Sequence, residues 1–139
     1  MTSRTERLGR HSDLQAEPPD RKEFESLVRS GLARLRDAEN TTLSIDSRFD
    51  LAHSAAHALC LAALRHCGFR SAKRYVVFQV LPDTLGLGPE VWRLFEKAHR
   101  VRNQAEYEGI VEVEENLIRD LVAGCRQVAE KLEALPPLS

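Results

Sequence analysis

Residues 49–69 read FDLAHSAAHALCLAALRHCGF. The run is apolar nearly all round and dense in alanine, the residue that loses least on entering a helix. It contains no proline, and Gly68 is a natural stop. A helix that is apolar on every side is buried on every side, and small residues let its neighbours come close. Ser44 or Ser47 suits the N-cap, and Asp46 and Asp50 suit the first turn, where the helix dipole favours negative charge. The stretch therefore predicts the central helix of an all-α fold.

The flanking sequence supplies helices to surround it. Asp20 with Glu23 makes a DxxE form of the capping box. Phe24, Leu27, Val28, Gly31, Leu35 and Ala38 follow at helical spacing, and 40–42 (NTT) ends that element. Residues 75–81, YVVFQVL, have the composition of a strand. No second strand pattern exists to pair with them, and a lone strand is unstable. A short helix or an irregular crossing segment, ended near Pro82, is expected there. Pro89 sits where a first helical residue is favoured, and Val91, Leu94, Phe95, Ala98, Val101 and Ala105 form the next apolar stripe, with Gly109 as a C-cap. A last helix over about 113–135 carries Leu117, Ile118, Leu121, Val122, Cys125, Val128, Ala129 and Leu132, and Pro136-Pro137 closes it. No internal repeat is present. The expectation is an up-down bundle of four to five helices over 20–136. Residues 1–19, polar, charged and closed by Pro18-Pro19, read as a mobile tail.

The totals narrow the function. A chain of 139 residues suits one domain. A formal net charge of -1 gives no global pull toward nucleic acid, so any such contact needs a local basic patch. No apolar run approaches the roughly 20 residues that span a bilayer, and the N-terminus lacks the hydrophobic stretch of a secretory signal. Cys60, Cys67 and Cys125 have no CxxC spacing, so reduced thiols and a cytoplasmic location are expected.

One residue breaks the fourth stripe. At about 100° per residue, with Val91 at zero, the apolar positions fall between about -80° and +40°, and Arg102 falls near +20°. A guanidinium inside an apolar arc needs a carboxylate, a carbonyl, a phosphate or a wet cleft. Pairing with Glu106 at i+4, a stem laid over the core edge, or a dimer seam would each satisfy it structurally. His99, Asn103, Glu106 and Tyr107 flank it, a set able to hold a phosphodiester through charge, amide orientation and stacking.

HRVRNQAEYEG (99–109) resembles the signature of the HEPN (higher eukaryotes and prokaryotes nucleotide-binding) superfamily. AHSAAHALCLAALRHCGFRS (52–71) is similar to that family's second long helix, and the likeness spans roughly residues 20–135. The resemblance implies a helical bundle, commonly a homodimer, of the kind found in toxin–antitoxin, phage-defence and RNA-processing systems. In the family's ribonucleases, paired motifs of arginine, a polar residue and a later histidine cut RNA across the dimer cleft without metal or other cofactor. Arg102 matches the arginine and Asn103 the polar residue. The histidine position falls on Tyr107, whose hydroxyl has an ordinary pKa of roughly 10 and exchanges no proton near neutrality. A tyrosine that a partner nucleotidyltransferase modifies in some family toxins would fall on Gly109 and is absent. The resemblance thus implies a catalytically degenerate module binding RNA, nucleotide or a partner protein such as an antitoxin or nucleotidyltransferase. The alternatives are a metal-independent endoribonuclease using Arg102, Asn103 and Tyr107, and a structural dimer or assembly scaffold.

Other candidates carry less. Asp50, His53 and His57 share a helix face and offer metal ligands, but the alanines and leucines around them favour core hydrogen bonding, and no metal is expected. His66-Cys67 reads as a helix end. LGLG at 85–88 lacks the lysine and strand of a phosphate loop and reads as a connection. Arg70, Lys73 and Arg74 form a local basic cluster, either a solvated loop or an RNA-backbone contact.

Overall fold

A computed structural model describes residues 3–108 and 113–138; the side chains of residue 4 and of residues 105–108 lie outside that description. The described chain is mostly helical. The quoted run forms α3, Ile45–His66. Ser44 caps it, its Oγ accepting from the Ser47 amide at 3.1 Å. After the last turn Gly68 takes a φ of 87°, the left-handed conformation that lets the chain turn away. Six alanines of α3, at 52, 55, 56, 58, 62 and 63, are buried.

The small surface of α3 sets the packing. Helix α2, Arg21–Ala38, lies against α3 more extensively than any other element. The two come close at Gly31, where a Cβ would stand 2.7 Å from Leu59 Cδ2. Asp20 caps α2 by accepting from the amides of Lys22 and Glu23 at 2.9 and 3.4 Å. The acidic member of the expected capping box, Glu23, is used elsewhere: its carboxylate takes Arg65 and Arg70. Helices α4 (Arg74–Gln79) and α5 (Leu81–Thr84) follow, joined by a turn at Val80. The short helix, one of the two expected alternatives, thus forms, with Val76, Val77 and Phe78 buried. Pro82 lies within α5 instead of ending the segment, because a proline is tolerated in a first helical turn. Helix α6 spans Pro89–Glu108 and α7 spans Glu115–Glu133. Phe95 and Ala98 of α6 and Ile118, Leu121, Cys125 and Val128 of α7 are fully buried, as their stripes required. The expected cap at Gly109 and the stripe position Ala105 fall outside the described residues and side chains.

The N-terminal segment departs from expectation. Residues 4–9 form a short helix, α1 (Arg4–Gly9), and Leu8 is buried at 1% exposure. Gln15–Ala16 (β1) pairs antiparallel with Phe69–Arg70 (β2), Gln15 opposite Arg70 and Ala16 opposite Phe69. A segment whose apolar residues, Leu8, Leu14 and Ala16 among them, follow neither helical nor strand spacing gives no periodic signal. Arg7 pairs with Asp83 and Asp13 with Lys73, and a buried cation on α3 fastens its end. Arg65 is 2% exposed and donates to the carbonyls of Glu17 (3.0 Å), Pro18 (2.8 Å) and Phe69 (3.3 Å) and to the Glu23 carboxylate. A buried guanidinium must find acceptors, and the segment before Pro19 supplies two of them. Arg48, also buried on α3, donates to the Ala38 carbonyl at 2.9 Å and to both oxygens of Glu115, tying α3 to the end of α2 and the start of α7.

Candidate functional site

Three helices converge on one aromatic core. Phe78 of α4 has its ring centroid 6.1 Å from His53 and 6.2 Å from His57 of α3, 6.3 Å from His99 of α6, and 5.6 Å from Phe95. The rings of His53 and His99 stack at 5.6 Å with 12° between planes. His53 is buried at 1% exposure, while His57 and His99 are half-buried. The i, i+4 spacing on α3 places His53 and His57 one turn apart on the same face.

Arg102 stands at the rim of this core. Its side chain is 26% exposed, not buried as an arginine within the stripe would be, because the stripe leaves the core before it: Ala98 is fully buried and Val101 half-buried. Arg102 Nη1 lies 3.4 Å from His53 Nδ1 and 3.9 Å from Asp50 Oδ1. A guanidinium only donates, so His53 Nδ1 is the acceptor and its proton sits on Nε2. That Nε2 is buried with no hydrogen-bond partner among the described residues. Asn103 is exposed, and its amide donates to His99 Nε2 at 3.3 Å.

The electrostatics keep the histidines neutral. Burial, with the Arg102 charge next, pushes His53 down to about 3. Burial and then Arg74 push His57 down to about 4. At pH 7 neither carries the extra proton of an imidazolium, so neither is a general acid. The cluster is able to attract an anion with guanidinium charge and to orient it with an amide. The groups that could shuttle a proton at neutrality are not among these two histidines.

The sequence-derived set is thus partly assembled. Arg102, Asn103 and His99 are brought together with His53. The side chains of Glu106 and Tyr107 lie outside the described residues. Asp50, His53 and His57 do not converge on a common point: Asp50 is exposed beside Arg102, and the His57 ring stands perpendicular to that of Phe78. Among the described residues no group of three histidine, cysteine or acidic side chains is placed to hold a metal.

No family model, curated protein or solved structure matches this chain.

Several other candidates resolve into structure. His66 Nε2 meets the Pro136 carbonyl at 2.8 Å and so ties down the segment after α7. Among the described residues the three cysteines are in no disulfide; burial pushes the Cys60 thiol up and the Cys125 thiol up to about 12. Leu85 and Leu87 are buried in the connection between α5 and α6. Within the basic cluster, Arg70 is bound by Glu17 and Glu23, and Lys73 pairs with Asp13 at 3.0 Å. No helix among the described residues is long and apolar enough to cross a membrane. Sequence reasoning missed Arg65 and Arg48, the most deeply buried cations among the described residues, and missed Phe78 as the hub of the histidine cluster. The position of both arginines on an otherwise apolar helix was the available signal.

Proposed function

We propose that this chain is a HEPN-like helical module that binds the phosphate backbone of single-stranded RNA at the Arg102 edge without cutting it, as a homodimer within a toxin–antitoxin or defence pair. The observation that carries the proposal is the state of Arg102. It stands a quarter exposed at the rim of the histidine cluster, with its Nη1 3.4 Å from His53 Nδ1 and 3.9 Å from Oδ1 of exposed Asp50. Its partial exposure lets a phosphate approach without either charge being fully desolvated. A guanidinium matches a phosphate in charge and in its forked donors, and exposed Asn103 adds an amide beside it. Half-buried Val101 offers a second copy an apolar contact at the same edge.

Binding without cleavage follows from the proton inventory. The family's ribonucleases need a histidine where this chain has Tyr107. His53 and His57, the nearby alternatives on α3, are held neutral far below pH 7. The test is fluorescence anisotropy with a labelled single-stranded RNA, followed by electrophoresis of that RNA in chelator. Wild type is expected to bind in a salt-dependent manner and leave the strand intact, and Arg102→Ala to bind at least about tenfold more weakly, one charged contact being worth about 1.5–3 kcal/mol, with an unchanged melting temperature. RNA cut by wild type and spared by Arg102→Ala would replace this reading with the endoribonuclease. Absence of binding, together with a destabilised Arg102→Ala, would replace it with the scaffold.

A further inference from the structure

We infer that Arg74 is a second phosphate-binding cation of the same surface, so that the site grips two successive phosphates of an RNA strand rather than one. This rests on the reading of the Arg102 edge as a phosphate-binding surface. The sequence places three cations together at positions 70, 73 and 74, and the fold sorts them. Arg70 is held by Glu17 and Glu23, and Lys73 by Asp13. Arg74 is exposed and has neither a hydrogen bond nor an ion pair among the described residues.

Its position on α4 joins it to the cluster. Arg74 precedes Phe78 by four residues, hence by one helical turn on the same face. Phe78 is the ring on which His53, His57 and His99 converge. Arg74 is therefore carried toward the His57 end of the cluster, while Arg102 holds the His53 end. The charge of Arg74 is felt at both histidines of α3, and that of Arg102 at His53. Two guanidinium groups thus flank two neutral imidazoles, buried His53 and half-buried His57. An anion with two charged groups in series fits such an arrangement, and a polynucleotide backbone has that form. Asp50, an acidic group near Arg102, is exposed.

The experiment uses the full chain and a fluorescein-labelled oligouridylate of about 12 nucleotides, a length within the usual single-strand site size. Anisotropy is measured from about 50 to 200 mM salt for wild type, Arg74→Ala, Arg74→Lys, Arg102→Ala and the control Lys22→Ala. Arg74→Ala is expected to weaken binding severalfold and to flatten the plot of log affinity against log salt by about 0.7, the share of one single-strand phosphate contact. Arg74→Lys should restore the slope, and Lys22→Ala should change neither quantity. Since Arg74 is exposed, circular dichroism should be the same for all. An unchanged affinity and slope in Arg74→Ala, beside a loss in Arg102→Ala, overturns this inference and leaves the Arg102 reading intact. No binding by wild type overturns both. Equal binding of polyglutamate and oligouridylate overturns the assignment to a phosphate backbone.

Discussion

Replacing Arg65 by methionine removes a cation that three elements share. The stem is kept and the head is lost, so little cavity opens. What is lost is a charge-assisted bond to Glu23 and bonds to the carbonyls of Glu17, Pro18 and Phe69. Truncating one side of a buried charge pair costs about 3–5 kcal/mol, chiefly because the partner stays buried. Here Glu23 is 33% exposed and regains water once Arg65 is gone. The carbonyls of Glu17 and Pro18 do likewise if the segment before Pro19 lifts away. A loss of about 3 kcal/mol is therefore expected, or roughly 10 °C in melting temperature for a domain of this size. Urea unfolding followed by circular dichroism measures the first quantity. Hydrogen exchange locates the effect: the Glu17 amide, which donates to the Gly68 carbonyl at 2.9 Å, should lose protection while buried α7 amides keep most of theirs. Arg65→Met with under about 1 kcal/mol of destabilisation and a protected Glu17 amide would refute the claim that this cation fastens the N-terminal segment.

Two further outcomes follow from the same packing. His53 and His57 titrate at about 3 and about 4 in the fold, below the unfolded value near 6.5. The unfolded chain thus binds more protons between about pH 4 and 6.5, so stability is full above pH 6.5 and falls as pH drops, by up to about 1.4 kcal/mol per pH unit for each group; a flat urea midpoint across that window would contradict the buried neutral histidines. Gly31→Ala gains about 1 kcal/mol of helix propensity but sets a methyl 2.7 Å from Leu59, which is fully buried and cannot swing aside. Overpacking of about 1–3 kcal/mol wins, so the variant should melt below wild type; one that melts higher would mean that α2 and α3 are less closely packed.

What the sequence revealed was local. Ser44, Asp20 and Pro89 start helices because their chemistry acts within one turn, and Gly68 ends one for the same reason. The alanine density of 52–63 announced a helix approached from several sides, and the core accords with it. Long-range polar pairing was illegible. Glu23 has the spacing of a capping residue, yet its carboxylate goes to arginines at positions 65 and 70, which no periodicity links to it. The two-residue strands at 15–16 and 69–70 are too short to leave a pattern. Residues 1–19 read as tail because their anchor lies on α3. At the site, Arg102 was legible as an oddity within a stripe. Its neighbour His53 was not, because a histidine among alanines reads as core filling until α6 is folded against it.

The account's central claim is that Arg102 and its histidine neighbours form an anion-binding edge. The most direct measurement is a nuclear magnetic resonance titration of the labelled protein with oligouridylate, following the Arg102 Nε–H signal, the Asn103 side-chain amide and the imidazoles of His53 and His99. The account predicts that these signals shift together and saturably, and that they cease to shift in Arg102→Ala. Shifts confined to other faces of the molecule, with the Arg102 signal unmoved at saturation, would contradict it.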